Sequence, residues 1–207
     1  NADTVGYIVL EGTNIDYPIM FDRTGEWYYN DHTFDKEKSE SAAIYTYYYG
    51  YDKNIVVTGH NSRPSGSMFH QLHHLQEFNV GETNCLQKKY CGKELTDLPD
   101  FNVYADRVWT LNLYGVETRY EIFAMYETKA PADEEMDWFD NIWWGSHKRT
   151  DEAGIQQWID KQVGLSEVQI DTDVTTEDTF LTVFTCATEH ADANQNARLF
   201  FFLKRVD

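Results

Sequence analysis

Eight short segments rich in β-branched and aromatic residues recur along the chain, at residues 6–10, 17–20, 42–47, 55–59, 109–114, 120–126, 180–185 and 198–206. Such side chains suit a pleated, half-buried surface, and the Gly, Asn or Asp residues that often bound them mark turns. Helical periodicity is scarcer. Residues 67–75 place Met68, Leu72 and Leu75 on one face, and residues 152–163 space Ile155, Ile159 and Val163 by four. The acidic, aromatic stretch 131–144 reads as a further short helix. A chain with many strands and few helices folds as a barrel or a sandwich with helices at its periphery. At 207 residues, with no internal repeat and no low-complexity linker, residues 1–207 read as one domain. The least regular part, residues 79–106, reads as a long excursion facing substrate or partner.

Charge removes several functional classes. Seventeen basic against 35 acidic residues leave a formal charge of −18. Nucleic acid demands basic surface, so nucleic-acid binding is not expected. Adhesion to anionic headgroups is disfavoured on the same ground. No window approaches the roughly 18 consecutive apolar residues of a membrane span. The first residues lack a basic segment followed by an apolar one, so no signal peptide is expected there. Composition leaves two settings open, the cytosol or a trimmed ectodomain.

Three strand ends carry reactive groups. Cys186 closes the apolar run 180–184 through Thr185, Arg198 opens the run 199–203, and His60 follows the run 55–59. Taken singly, each has an ordinary explanation: a small buried hydrophobe, a surface strand residue and a turn histidine. Together they supply a nucleophile, a base and a fixed cation on rigid elements. That combination points to cysteine-dependent acyl transfer. The three cysteines, Cys85, Cys91 and Cys186, leave at least one thiol free. Cys85 and Cys91 are read either as a pair or as two ordinary thiols.

The sequences around all three groups resemble one family. Thr58-Gly59-His60-Asn61, followed by Gly66-Ser67-Met68-Phe69 and Leu72, is similar to the histidine-bearing motif of class B sortases. Thr182-Val183-Phe184-Thr185-Cys186 resembles the nucleophile motif, and Arg198 falls where the family's arginine begins the last strand. Residues 5–8, 12–19, 28–29 and 120–126 also look like class B. The resemblance implies a mostly β fold, an eight-stranded sortase-type barrel with a few peripheral helices. It implies a catalytic domain on the outer face of a Gram-positive membrane, its membrane anchor absent from this chain. Cys186 is then expected to attack a carbonyl in a C-terminal sorting motif, giving a thioester. An amine of peptidoglycan precursor, or a pilin lysine, resolves it. No cofactor or metal is implied.

Three departures bear on the substrate motif more than on the chemistry. Phe184 stands where class B members often have Ser, Thr188 where they often have an acid (Glu189 is one further on), and the excursion 79–106 is longer than expected. Substrate contact is therefore assigned to Asn61, Phe184, Thr185, Ala187, Thr188 and Glu189. Arg198 and the Ala187 backbone N–H are candidates for holding the substrate oxygen. Ordinary pKa values leave the thiolate–imidazolium form at about 1% near neutrality, and a cation such as Arg198 favours the thiolate.

Other clusters are weaker. His70, His73 and His74 read as surface histidines, because no HExxH pattern or nearby cysteine supports zinc. Asp171, Asp173, Glu177 and Asp178 distantly resemble a calcium loop without its central glycine. Tyr45, Tyr47, Tyr48, Tyr49 and Tyr51 line either a peptide groove or a half-buried strand. The rival functions are a thiol hydrolase, in which water resolves the acyl-enzyme, and a non-catalytic binding module that keeps Cys186 as packing.

Overall fold

The computed structural model describes residues 1–11, 13–24, 26–46, 53–62, 65–73, 108–127, 151–167, 170, 173–187 and 197–207. In chain order the strands are β1 (Thr4–Leu10), β2 (Asp16–Phe21), β3 (Ile44–Thr46), β4 (Asn54–Thr58), β5 (Asn61–Ser62), β6 (Ser67–Met68), β7 (Trp109–Leu113), β8 (Val116–Glu127), β9 (Phe180–Cys186) and β10 (Arg198–Arg205). Eight of them close a barrel in the order β1-β2-β3-β4-β9-β10-β8-β7, while β5 and β6 pair separately. The β2–β3 and β4–β9 pairs are parallel, and the other barrel pairs are antiparallel. Closure leaves the barrel itself without an open edge. All eight expected strands are present, and the barrel is the arrangement adopted.

Strand alternation sorts the apolar residues into two layers. Ile8, Leu10, Val57, Leu111, Leu181, Val183, Leu199, Phe201 and Leu203 fill the barrel. Their neighbours of opposite parity, Phe180, Phe184, Phe200 and Phe202 with Phe123, form an outer aromatic layer. Helix α1 (Glu152–Leu165) covers that layer through Ile155, Trp158 and Ile159. Its start is fixed by the Asp151 carboxylate, which accepts the Gly154 N–H at 2.7 Å. Trp158 meets Phe180 at 5.1 Å between ring centroids and is fully buried. The buried stripe is Ile155, Trp158, Ile159 and Gln162, whereas Val163 is 48% exposed. The spacing by four overstated one column of the helix, since packing follows i, i+3, i+4 and i+7.

The segment 67–75 also differs from its expected helix. It opens with β6, paired to β5, and residues 71–73 are helical. Met68 has φ 57°, a left-handed conformation that turns the chain from strand into helix. The segments 79–106 and 131–144, and with them Cys85 and Cys91, lie outside the described residues, as do His74 and Tyr47, Tyr48, Tyr49 and Tyr51. Tyr45 is buried in a satellite core with Met20 and Tyr29.

One close approach makes glycine obligatory. A Cβ on Gly6 would lie 1.9 Å from the Asn112 carbonyl oxygen, an atom of the neighbouring strand's backbone. Gly6→Ala is therefore expected to cost about 2 kcal/mol or more, because the β1–β7 pair must part to admit the methyl. A thermal melt equal to that of the parent chain would contradict this.

Candidate active site

The end of the outer aromatic layer is where the three reactive groups meet. Arg198 pairs with Cys186 in the β9–β10 ladder, so both stand at one rim. They share the parity of Phe184 and Phe200, which places them on the outer face, beyond the cover of α1. The parallel β4–β9 ladder ends at Thr58 opposite Phe184. Two residues further, the same register brings His60 level with Cys186.

His60 is anchored from behind. Its Nε2–H donates to the Asn30 carbonyl at 2.5 Å. A carbonyl only accepts, so Nε2 carries a proton and Nδ1 is the nitrogen left for the thiol. The hydrogen bond to Cys186 raises His60's pKa. Burial opposes this, the Asn30 carbonyl and the thiolate charge add to it, and Arg198 opposes it. For Cys186, burial pushes the thiol up, but the hydrogen bond to His60 and the charges of Arg198 and His60 outweigh it, and the net shift is downward. Both shifts favour thiolate and imidazolium over the neutral pair.

A pH dependence follows from those directions. A lowered thiol pKa means that the thiolate persists at more acidic pH than for an ordinary cysteine, near 8.5. Iodoacetamide alkylation of Cys186, mapped by mass spectrometry, is expected to have its midpoint below that of the same thiol in the unfolded chain. Arg198→Ala and His60→Ala are each expected to move it upward. A midpoint that neither substitution moves would contradict the assignment.

Several assigned contacts are placed differently. The Ala187 N–H donates to the Ala197 carbonyl at 2.9 Å, continuing the ladder by one rung. It is engaged by backbone and so does not point at an incoming oxygen. Thr185 is buried, and its hydroxyl donates to the Gly59 carbonyl at 2.8 Å. Asn61 is held behind the nucleophile, donating to the Cys186 carbonyl at 3.3 Å. Phe184 does share the face of Cys186, but α1 roofs that layer. Its ring is 4% exposed and lies 5.5 Å from Phe200. Phe184→Ser is accordingly expected to destabilise the fold by about 3 kcal/mol through the cavity it leaves. An unchanged denaturation midpoint would contradict that. Thr188 and Glu189 lie outside the described residues.

The histidines give the largest correction. His70 and His73 are each only 1% exposed, not surface residues. Phe69, Leu72 and His73 fall at i, i+3 and i+4, so His73 belongs to the buried stripe, a spacing visible in the sequence. His73 Nε2 donates to the Cys186 carbonyl at 3.0 Å, and His70 Nδ1 donates to Asn61 Oδ1 at 2.6 Å. The Asn30 carbonyl was also missed, since a backbone acceptor leaves no side-chain signature. Among the described residues no group of three or more His, Cys, Asp or Glu is placed to hold a metal. Asp178 instead closes a turn, accepting the Thr175 N–H at 2.7 Å.

The flank of His60 opens onto a cleft of about 520 Å³ lined by Asn30, Asp31, Lys38, Ser39, Glu40 and His60. A thiol–imidazole pair at a barrel rim, a guanidinium across one rung and an open flank define a cysteine-dependent acyl-transfer site. Comparisons with known proteins agree with that class. No family model matches the chain. It is 33% identical over 133 residues to Sortase B of Listeria monocytogenes, covering 62% of this chain and 44% of that protein, so the match spans less than half of that relative. It is 25% identical over 198 residues to Sortase B of Staphylococcus aureus, covering 94% of this chain and 68% of that protein. The crystal structure of Clostridium perfringens sortase B superposes with a TM-score of 0.75 at 27% identity, covering 100% of this chain and 96% of that one. The proteins that the chain resembles in sequence and in fold are class B sortases, which supports a place in that family.

Proposed function

We propose that residues 1–207 form the catalytic domain of a cysteine transpeptidase that transfers a surface protein to an amine of the cell wall. The observation that carries this reading is the shared rim: Arg198 stands directly across the ladder from Cys186, and the β4–β9 register brings His60 level with the thiol. In the proposed reaction the Cys186 thiol passes its proton to His60 Nδ1. The thiolate sulfur attacks a backbone carbonyl in the sorting motif, and Arg198 N–H groups hold the oxyanion. Collapse of that intermediate breaks the C–N bond. The imidazolium gives its proton to the departing amine, leaving an acyl thioester. An incoming amine then attacks the thioester, His60 takes up its proton, and an amide forms as the thiol is restored. The Asn30 carbonyl steadies the imidazolium through both halves.

The setting proposed is the outer face of a Gram-positive membrane. Among the described residues no helix is long and apolar enough to cross a membrane. A panel of sorting-motif peptides incubated with and without triglycine or a lysine-bearing pilin peptide tests the reading. The expected result is an amide product that appears only with the amine. Release of free acid at the same rate in both arms would identify a hydrolase instead. A lysine product without a triglycine product would identify pilin polymerisation.

A further inference from the structure

Backbone hydrogen bonding between β4 and β9 stops at the Thr58–Phe184 pair, two residues before the thiol and imidazole. Side chains carry the connection onward. Thr58 Oγ1 donates to the Phe184 carbonyl at 3.1 Å, and Thr185 Oγ1 donates to the Gly59 carbonyl at 2.8 Å. The last rung falls on the Cys186 carbonyl, which accepts from both His73 Nε2 and Asn61 Nδ2. His73 belongs to the same short segment as His60, because the Phe69 N–H returns to the His60 carbonyl at 3.0 Å. The rung therefore joins the piece of chain that bears the base to the strand that bears the nucleophile.

The connection continues beyond Cys186. The peptide between Cys186 and Ala187 is held on both sides: its carbonyl by His73 and Asn61, its N–H by the Ala197 carbonyl. That same Ala197 carbonyl accepts from Arg198 Nη1 at 2.9 Å. One line of hydrogen bonds thus runs from His73, through the nucleophile's own peptide, to the guanidinium. His70 braces it by donating to Asn61 Oδ1, which turns the Asn61 amide N–H groups toward Cys186.

We propose that His73 is a positioning residue that sets the reach between Cys186 and His60 and, through Ala197, the placement of Arg198. Its imidazole touches none of the reacting atoms. It acts by fixing the plane of the peptide that follows the nucleophile. This inference rests on Cys186, His60 and Arg198 being the reacting groups.

Alkylation of Cys186 tests it without any sorting peptide, so its failure is distinguishable from failure of the transpeptidase reading. Rates would be measured against pH for the parent chain, His73→Leu and His73→Gln, with melting temperatures recorded alongside. His73→Leu removes the donor, and the rate at neutral pH is expected to fall about tenfold with the profile moving toward an ordinary thiol. His73→Gln places an amide N–H where Nε2 stands and is expected to recover the rate to within about threefold of the parent. If His73→Leu does not fold, Asn61→Ala removes the other donor from a half-buried position. It is expected to lower the rate about threefold, with the profile shifting in the same direction. Profiles that superimpose on the parent's, or a Gln variant as impaired as the Leu variant, would overturn the proposal.

Discussion

Cys186→Ala is expected to abolish peptide cleavage and transfer, a loss of at least about 10⁴-fold, because it removes the thiol on which the acyl intermediate is proposed to form. Among the described residues Cys186 is the free thiol, and the strand registers put a base and a cation beside it. Exchanging one half-buried sulfur for hydrogen removes little packing, so stability should change by less than about 1 kcal/mol. Cys85→Ala and Cys91→Ala should each keep most of the turnover. Steady-state cleavage of a fluorogenic sorting peptide, read with thermal melts, separates loss of chemistry from loss of fold. Residual turnover in Cys186→Ala near the parent's would dismiss the thiol as nucleophile.

Arg198→Lys is expected to lower kcat/KM about tenfold or more, although the charge is kept. Arginine's planar fork offers several N–H groups in fixed directions, so one can hold the Ala197 carbonyl while others face the oxyanion. A lysine ammonium at the end of a flexible stem holds neither position. The loss should fall in kcat more than in KM if the arginine acts on the oxyanion, which exists only beyond the ground state. Near-parent turnover would show that Arg198 contributes only a general positive field.

The strands were legible because burial on both faces writes itself into sequence. The run Phe180-Leu181-Thr182-Val183-Phe184 feeds the barrel interior with one parity and the helix-covered layer with the other. Barrel closure was not legible from local pattern. It depends on β1 pairing with β7, across roughly a hundred residues of chain, and a sandwich satisfies the same alternation. The three candidate residues stood out in the sequence because each lies at or just beyond the end of a strand. Their common rim is a register effect, and the Arg198–Cys186 pairing appears only once β9 and β10 align. The reading of Phe184 as a substrate contact had the right face and the wrong environment, since strand parity cannot reveal a helix arriving from residues 152–165. His73 was misread for a different reason. The lack of an HExxH pattern or a nearby cysteine argued against zinc, and surface placement was read from that, although His73 shares the stripe of Phe69 and Leu72.

The most direct test is to trap the acyl-enzyme. The chain would be mixed with a sorting-motif peptide, quenched in acid within the first turnover, and examined by intact mass and peptide mapping. One acyl group is expected on the peptide containing Cys186, and it should be lost on addition of triglycine. An adduct on Cys85 or Cys91, or cleavage with no adduct on any cysteine, would contradict acyl transfer through Cys186.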